Sequence, residues 1–451
     1  MRSWPDEKAD MNRHSLARTR SRNSRGAPRV GLFGLLGQGN LGNDGSLEAV
    51  LGYLRAAHPD AILDFMCGGP EEMTARYGIP AVRLRWHNAP PGKTPGALAF
   101  ARAGMETTLG LVMDGFHTAS WVRRHDVVIV PGMGVLEATL PLRAWHTPYS
   151  MFLLSATGRL FGTKVALVSV GADFMDQRAM RWLVTMAARL AHYRSYRDSF
   201  SRDAMRRMGL RASDDPVYPD LAFALPTPST PSAPPGDPGS PGPVGVGVMD
   251  FSGGNQDRHQ AAEIRTAYVE KMKLFVLWLA DNGRPVRLFT TDVHDEPVMH
   301  EIVHDLRARR PGLDSAQILA EPTSSLDELM RKMATVDTVV ASRFHNVLCA
   351  LKLAKPTLSV GYAAKFGALM TDMGLGEFCQ SARDLDVDRL IEQFTVLESR
   401  SAELRHQLNE RNTVYTRLLD QQFGKLSDSL FPPTGSADAP ARQRRARVGA
   451  Q

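Results

Sequence analysis

The stretch RVGLFGLLGQGNLGNDGSLEAVLGYL, residues 29–54, sets the fold class of the chain. It opens with a six-residue apolar run, 29–34, whose length and composition predict a buried β-strand. A turn rich in glycine and asparagine follows. Apolar side chains then recur at i, i+3, i+4 and i+7, the spacing of one helix face, with Ser46 as the expected N-cap. The stretch therefore predicts a strand, a tight glycine turn and a helix.

The same order returns in the second half of the chain, beginning with the apolar run Val244–Met249. Short apolar strands that alternate with helical patterns indicate parallel βαβ units with helices on both faces of each sheet. Further buried strands are predicted in both halves, at 126–130, 165–170, 286–289, 338–340 and 356–360. We expect an α/β protein with two Rossmann-like domains facing a cleft.

Proline marks the boundary between these halves, because eight of the eighteen residues in 226–243 are proline and such a stretch cannot pack. The sequence therefore predicts that 226–243 is a linker, with five further segments around it. They are a disordered basic tail at 1–28, an N-terminal domain at 29–225, a C-terminal domain at 244–395, a terminal helix at 396–431 and a second basic tail at 432–451.

Composition excludes several classes of protein. With 451 residues, 43% of them hydrophobic, the chain is too apolar to be disordered. The net charge of +6 belongs to the ends, since residues 1–28 contribute +4 and residues 432–451 contribute +3, which leaves −1 for the rest. A basic groove for nucleic acid is therefore not expected in the folded part.

The three cysteines are too few and too scattered for a disulfide framework or a cysteine metal cluster, which favours a reducing, cytoplasmic location. No apolar run reaches the roughly 18 residues of a membrane helix, and no secretory h-region is apparent. We expect no transmembrane segment, and peripheral contact with a membrane stays open. Oligomeric state is also open.

The first candidate site lies in the glycine-rich turn at 34–44, between the first strand and the first helix. Glycine lets the backbone approach a ligand, and the helix N-terminus offers free N–H groups. The side chains of Asn40, Asn43 and Asp44 are suited to hydrogen bonds with sugar hydroxyls. The alternative is a turn that only reverses the chain. As a dinucleotide fingerprint the glycine pattern fits poorly, which ranks a nicotinamide oxidoreductase low.

The second candidate site is Ala341–Asn346, directly after a predicted strand. Ligands of open α/β sheets bind beyond the carboxyl ends of strands. Arg343 offers a planar fork for a carboxylate or phosphate, and His345 exchanges a proton near neutral pH. The alternative is a capping arginine beside a half-buried histidine. The acidic run Asp292–Glu296 is interpreted as a surface turn rather than a metal site, and no metal is expected.

Five motifs occur in the order seen in polysaccharide pyruvyl transferases, and the chain resembles that family over roughly residues 30–370. They are Gly37-x-Gly39-Asn40-x-Gly42-Asn43-Asp44, Tyr196-Arg197-Asp198 with Ser201, Pro219-Asp220-Leu221-Ala222-Phe223, Ser342-Arg343-Phe344-His345 and Tyr362-x-x-Lys365. The resemblance implies a glycosyltransferase-B-like fold. It also implies pyruvyl transfer from phosphoenolpyruvate, without a cofactor, to a sugar, glycan or lipid-linked saccharide in exopolysaccharide or cell-envelope synthesis.

By the same resemblance, Arg197, Arg343 and Lys365 would bind the anionic donor in the C-terminal domain and His345 would donate the proton. Gly39, Asn40, Asn43 and Asp44 would bind the acceptor on the N-terminal side. Glu137 is a candidate base, supported only by its position after a strand, and Lys365 has the alternative of a solvated surface lysine. Two other functions stay open: a nucleotide-sugar-dependent glycosyltransferase and a non-catalytic glycan-binding protein.

Overall fold

The computed structural model describes residues 26–85, 97–137, 146–228, 242–254, 257–312 and 317–431; within 97–107 it gives the backbone alone. Residues 1–25 and 432–451 of the predicted basic tails, and residues 229–241 of the predicted proline-rich linker, lie outside these ranges. None of the helices in the described ranges combines the length and apolarity that a bilayer crossing requires.

The first sheet has six parallel strands in the order β3-β2-β1-β4-β5-β6. Its strands are β1 (Arg29–Gly34), β2 (Ile62–Cys67), β3 (Ala81–Arg83), β4 (Val127–Pro131), β5 (Lys164–Val170) and β6 (Tyr193–Tyr196). The helices of this half are α1 (Leu41–Ala57), α2 (Pro70–Tyr77), α3 (Ala97–Val122), α4 (Thr147–Phe161), α5 (Arg178–Leu190) and α6 (Ser199–Arg207). A 3-10 turn at Leu221–Ala224 follows.

The second sheet repeats this topology, with strand order β12-β11-β10-β7-β8-β9. Its strands are β7 (Val244–Gly247), β8 (Val286–Phe289), β9 (Ile318–Ala320), β10 (Thr338–Ala341), β11 (Thr357–Gly361) and β12 (Cys379–Ser381). The helices are α7 (Ala261–Asp281), α8 (Glu296–Arg309), α9 (Leu326–Ala334), α10 (Phe344–Lys352), α11 (Ala364–Asp372), α12 (Val387–Ser399) and α13 (Ser401–Leu430).

These two parallel sheets with flanking helices confirm the predicted pair of Rossmann-like domains. In each sheet the connections reverse direction between its first and fourth strands, which are β1 and β4 in one and β7 and β10 in the other. Ligands of open α/β sheets bind at such switch points, outside the carboxyl ends of the strands. The loops that follow these four strands are therefore where a site is expected.

The start of α1 corrects one prediction, because its N-cap is Asn40 and not Ser46. Asn40 has extended backbone angles, and its Oδ1 accepts hydrogen bonds from the backbone N–H groups of Gly42 and Asn43 at 3.1 and 3.3 Å. Ser46 is fully buried inside the helix. An asparagine cap six residues earlier adds the glycine-rich segment to the helix, so the helix N-terminus reaches the edge of the sheet.

Helix α13 contacts both domains. Near its start, Arg405 donates to the backbone carbonyl of Asp337 in the second domain at 3.1 Å. Near its end, the fully buried Gln422 donates to Ser195 Oγ in the first domain at 2.8 Å, and Phe423 stacks on Tyr53 with ring centroids 4.7 Å apart. Lys164 donates to the carbonyl of Ser429 at 2.8 Å. Helix α13 therefore joins the two domains.

Candidate active site

A cavity of about 250 Å³ lies between the two domains, beyond the carboxyl ends of strands of both sheets, including the switch-point strands β1, β4 and β10. The first domain also contacts the second directly here, since Leu41 donates its backbone N–H to the carbonyl of Thr291 at 3.2 Å. From the first domain the cavity is lined by Leu35, Asn40, Asn43, Gly134, Glu137 and Arg197. From the second it is lined by Thr291, Asp292, Arg343, Phe344, His345, Tyr362 and Lys365.

The structure brings the predicted donor-side residues together, since Arg197, Arg343, His345 and Lys365 all line this cavity. Arg197 comes from the end of β6 in the first domain, although the donor side was expected to belong to the C-terminal domain. The other three lie just beyond β10 and β11: Arg343 is the N-cap of α10, His345 is in the first turn of α10, and Lys365 is in the first turn of α11. The alternative of a solvated surface lysine is wrong for Lys365, whose side chain is 17% exposed.

Two of the four predicted acceptor residues line the cavity and two do not. Asn40 and Asn43 line the cavity, but both also hold the backbone: Asn40 caps α1, and Asn43 Nδ2 donates to the carbonyl of Leu35 at 3.0 Å. Gly39 supplies a turn with φ +82°. Asp44 is not among the lining residues. Its Oδ1 accepts from the N–H of Gly37 at 3.0 Å, and burial raises the pKa of its carboxyl to about 6.

Glu137 connects two of the cations. Its Oε1 accepts from Arg197 Nη2, and its Oε2 lies 3.1 Å from Lys365 Nζ. Burial alone would raise the pKa of this carboxyl, but the positive charges of Arg197 and Lys365 outweigh burial and lower the pKa to about 2. Phe344 packs between the same cations, with its ring centroid 4.9 Å from Arg197 Cζ and 5.5 Å from Lys365 Nζ.

Arg343 is held by Asp295. The interpretation of 292–296 as a surface turn is therefore wrong for Asp295, although Val293 and His294 of the same turn are exposed. Nε and Nη2 of Arg343 donate to the two carboxylate oxygens of Asp295, each at 2.6 Å, and Asp295 is fully buried. This paired arrangement fixes the guanidinium plane at the cavity wall and leaves Nη1 for a ligand. In the described part of the chain, no three histidine, cysteine, aspartate or glutamate side chains converge as a metal site requires.

His345 lies against the first domain. No side chain fits at Gly42, because a Cβ there would overlap the His345 ring. Nε2 of His345 is 4.0 Å from Oδ2 of Asp220, and neither atom has a hydrogen-bond partner among the described residues. Burial, reinforced by the charges of Arg197 and Lys365, lowers the pKa of His345 to about 3. The imidazole is therefore neutral at pH 7 when the cavity holds no anion.

Asp220 is the site residue to which the sequence assigned no role. Its carboxyl is almost fully buried, with Oδ1 accepting from the N–H of Ala222 at 3.0 Å and Oδ2 lying 3.6 Å from Arg197 Nη1. Burial raises the pKa of this carboxyl. The motif 219–223 signalled its importance, but its proximity to His345 depends on how the two domains meet.

A second, larger cavity of about 560 Å³ shares Arg197, Phe344 and Lys365 with the first. Its other walls come from Asp220, from helix α11 and from Arg411 and Tyr415 of α13. The Arg197–Phe344–Lys365 stack therefore separates two spaces in the region where the domains meet.

Comparison with known proteins gives a family match and several similar folds. A family model described as polysaccharide pyruvyl transferase matches residues 40–363. No curated protein matches the sequence.

Three solved structures illustrate the similarity of fold. UDP-GlcNAc 2-epimerase from Neisseria meningitidis, bound to UDP-GlcNAc, has 11% identity and a TM-score of 0.55, over 89% of this chain and 99% of that one. The epimerase from Methanocaldococcus jannaschii has 8% identity and a TM-score of 0.52, over 82% and 92%. Anabaena HepE in complex with UDP-glucose has 12% identity and a TM-score of 0.52, over 89% and 100%. At these identities the similarity concerns the fold alone.

Proposed function

The chain belongs to the polysaccharide pyruvyl transferase family, and we propose that it transfers the pyruvyl group of phosphoenolpyruvate to a sugar of a polysaccharide or glycan precursor, forming a cyclic ketal. One observation supports this proposal above the others: Arg197, Arg343, Lys365 and His345 line a single cavity between the domains. Three cations beside one imidazole suit a donor that carries a carboxylate and a phosphate and that must be protonated on carbon.

The size and charge of the cavity fit a small anion. Its volume of about 250 Å³ lies below the roughly 300–1,000 Å³ of sites for drug-sized ligands, so it has room for a three-carbon donor while the acceptor extends outside. Glu137 pairs with Arg197 and Lys365. A donor carboxylate or phosphate would take the place of the Glu137 carboxylate on these two cations, and Arg343 Nη1 would bind the other anionic group.

The reaction balances with the groups present. A proton adds to the vinyl CH₂ of the donor and makes a methyl group, which leaves C2 as an oxocarbenium-like centre. One sugar hydroxyl forms a C–O bond to C2 and loses its proton. The bond from C2 to the phosphate oxygen then breaks, and phosphate leaves with the electron pair. A second hydroxyl closes the ketal, and the departing phosphate takes its proton and leaves as hydrogen phosphate.

His345 is the proton donor in this proposal. Its pKa of about 3 comes from burial and from the nearby positive charges, and a bound trianion would offset those charges. The imidazole would then gain its proton on donor binding, next to the carbon that needs it. The carboxylate of Asp220, 4.0 Å from Nε2, would orient the ring once it is charged.

Glu137 would become a base through the same event. While it is paired with Arg197 and Lys365, its pKa of about 2 makes it a poor proton acceptor. Displacement by the donor removes both pairings and raises its affinity for a proton. The freed carboxylate, on the first-domain side of the cavity, would then accept the proton of an attacking sugar hydroxyl, with Asn40 and Asn43 nearby to bind the same sugar.

The test is phosphate release from phosphoenolpyruvate with a panel of glycan acceptors, compared between the wild type and the His345→Gln variant. We expect acceptor-dependent release in the wild type and none in the variant, while the variant is still stabilised by phosphoenolpyruvate in a thermal-shift assay. Stabilisation by a nucleotide sugar but not by phosphoenolpyruvate would favour a glycosyltransferase instead. Binding of a glycan with equal behaviour of both proteins would favour a non-catalytic glycan-binding protein.

A further inference from the structure

One face of the first sheet is covered by α3, α4 and α5. The connections from β3 to β4, from β4 to β5 and from β5 to β6 all advance in the same direction along the sheet, so right-handed crossovers place their helices on the same face. Tyr149 of α4 donates its hydroxyl to the carbonyl of Leu111 in α3 at 3.0 Å. Thr163, just after α4, donates to the carbonyl of Val122 at the end of α3 at 3.0 Å.

The outer surface of this helix layer is unusually apolar. On α3, exposed side chains follow the i, i+3, i+4, i+7 spacing of one helix face, and Leu109 and Phe116 are 62% and 71% exposed. Val112 and Met113 complete this row. Such spacing normally marks the buried face of a helix, but here the face points to solvent.

The two neighbouring helices extend the same surface. Leu160 and Phe161 at the end of α4 are 75% and 41% exposed, and Trp182 on α5 is 54% exposed with its ring 5.2 Å from that of Phe152. Together with the α3 row they form what we call the α3–α5 patch. It holds half of the large apolar side chains that are exposed in the described ranges, and clustering of this kind marks an interaction surface.

The exposed charges around the patch are mainly positive, although exposed Asp126 follows α3 and exposed Asp176 precedes α5. Helices α4 and α5 contain no aspartate or glutamate, and their exposed charged residues are Arg159, Arg178 and Arg189. Among the side chains described on α3 the one acid is Asp114, which is buried, and two exposed arginines, Arg123 and Arg124, follow the helix directly. The patch is therefore apolar with a mainly basic border, and the side chains described on its three helices include no exposed acid.

We propose that the α3–α5 patch docks the protein on an anionic lipid bilayer. Apolar side chains on a basic helical surface partition into the headgroup region, while arginines bind the lipid phosphates. The charge pattern disfavours a second copy of the chain as the occupant, because two such faces would bring arginines against arginines. The inference rests on the surface alone and does not depend on the proposed reaction.

The experiment is co-sedimentation of the full chain with phosphatidylcholine vesicles, with and without phosphatidylglycerol. We expect binding to the anionic vesicles that weakens with salt. The double variant Phe116→Ser/Leu160→Ser should lower the partition coefficient by about tenfold or more, since each side chain loses part of its burial in the headgroup region. The matched control is Val396→Ser/Val414→Ser, two side chains 45% and 43% exposed elsewhere, which should bind as the wild type does.

A second variant tests the basic border. Arg123→Gln/Arg124→Gln should weaken binding to anionic vesicles by about fivefold per charge and reduce the salt dependence. Because all substituted side chains are exposed, the melting temperature should not change in any variant.

The proposal is overturned if the wild type fails to bind anionic vesicles, or if it binds neutral vesicles equally well. It is also overturned if the Phe116→Ser/Leu160→Ser variant binds as tightly as the wild type, which would assign binding to the basic ends of the chain. A concentration-dependent dimer, seen by light scattering and lost in that variant, would identify a second copy as the occupant.

Discussion

Donor binding should draw a proton into the active site. The pKa of His345 is about 3, because the ring is buried beside Arg197 and Lys365. If the trianionic donor takes the place of the Glu137 carboxylate beside His345, the charge near the ring becomes more negative by about two units. At a separation of about 6 Å and an effective dielectric constant of about 20, each charge contributes about 2.8 kcal/mol, or about a hundredfold in proton affinity.

Two such charges raise the proton affinity of His345 by about 10⁴-fold, which carries its pKa from about 3 into the neutral range. The enzyme should therefore take up a proton when it binds phosphoenolpyruvate near pH 7.5, where the donor phosphate is already almost fully ionised. Isothermal titration calorimetry in buffers of different ionisation enthalpy measures this uptake directly. Because the folded, liganded form holds the proton, kcat should fall as the pH rises through the pKa of the bound state.

His345→Gln supplies the control, since glutamine keeps the approximate shape and the neutral charge of the imidazole but has no proton to gain. We expect a substantial fraction of one proton per donor in the wild type and close to none in the variant. Equal uptake in both proteins would refute the reasoning. So would loss of uptake in Asp220→Asn but not in His345→Gln, because the proton would then reside on the Asp220 carboxyl.

Three further predictions concern single side chains at the site. Gly42→Ala should lower kcat by about a hundredfold, since its Cβ displaces the His345 ring. The control is Gly52→Ala in the same helix, where a Cβ meets no atom within 4 Å and should raise the free energy of unfolding by about 0.5–1 kcal/mol. Equal kcat values of the two variants would show that the Cβ at position 42 does not displace the ring. Glu137→Gln should lower KM for the donor by freeing two cations and lower kcat by about 10²–10⁴; an unchanged kcat would remove its role as a base. Arg343→Ala should lower the free energy of unfolding by about 3 kcal/mol, the lower end for breaking a buried pair, because Asp295 is fully buried while a quarter of the arginine is exposed. Urea denaturation measures this loss of stability. The double variant Arg343→Ala/Asp295→Asn should recover part of the lost stability.

The local elements could be predicted from sequence because each depends on residues close together in the chain. The strand at 29–34 and the helix after it follow from apolar spacing, and the resemblance to a known family selected Arg197, Arg343, His345 and Lys365, which share one cavity. The cap of α1 was misplaced because Ser46 and Asn40 are both good N-caps, and only the bonds to Gly42 and Asn43 distinguish them.

Partnerships between distant residues could not be predicted. An acidic run such as Asp292–Glu296 is normally exposed, and nothing local shows that Asp295 pairs with Arg343, 48 positions away. The position of Asp220 beside His345 requires the two domains to be placed against each other. The same holds for Glu137, whose two cations come from different domains.

The path of α13 has a consequence for how the protein is made. Gln422 completes hydrogen bonds of Ser169 and Ser195 in the interior of the first domain, and Phe423 covers Tyr53. During synthesis the first domain leaves the ribosome before α13 has been translated. The apolar surface of the first domain around Tyr53 therefore stays exposed to solvent while the second domain is translated. In a stalled or C-terminally truncated chain that surface would stay exposed permanently. Such a chain would become a target for chaperones and proteases even though every residue of its first domain had been made.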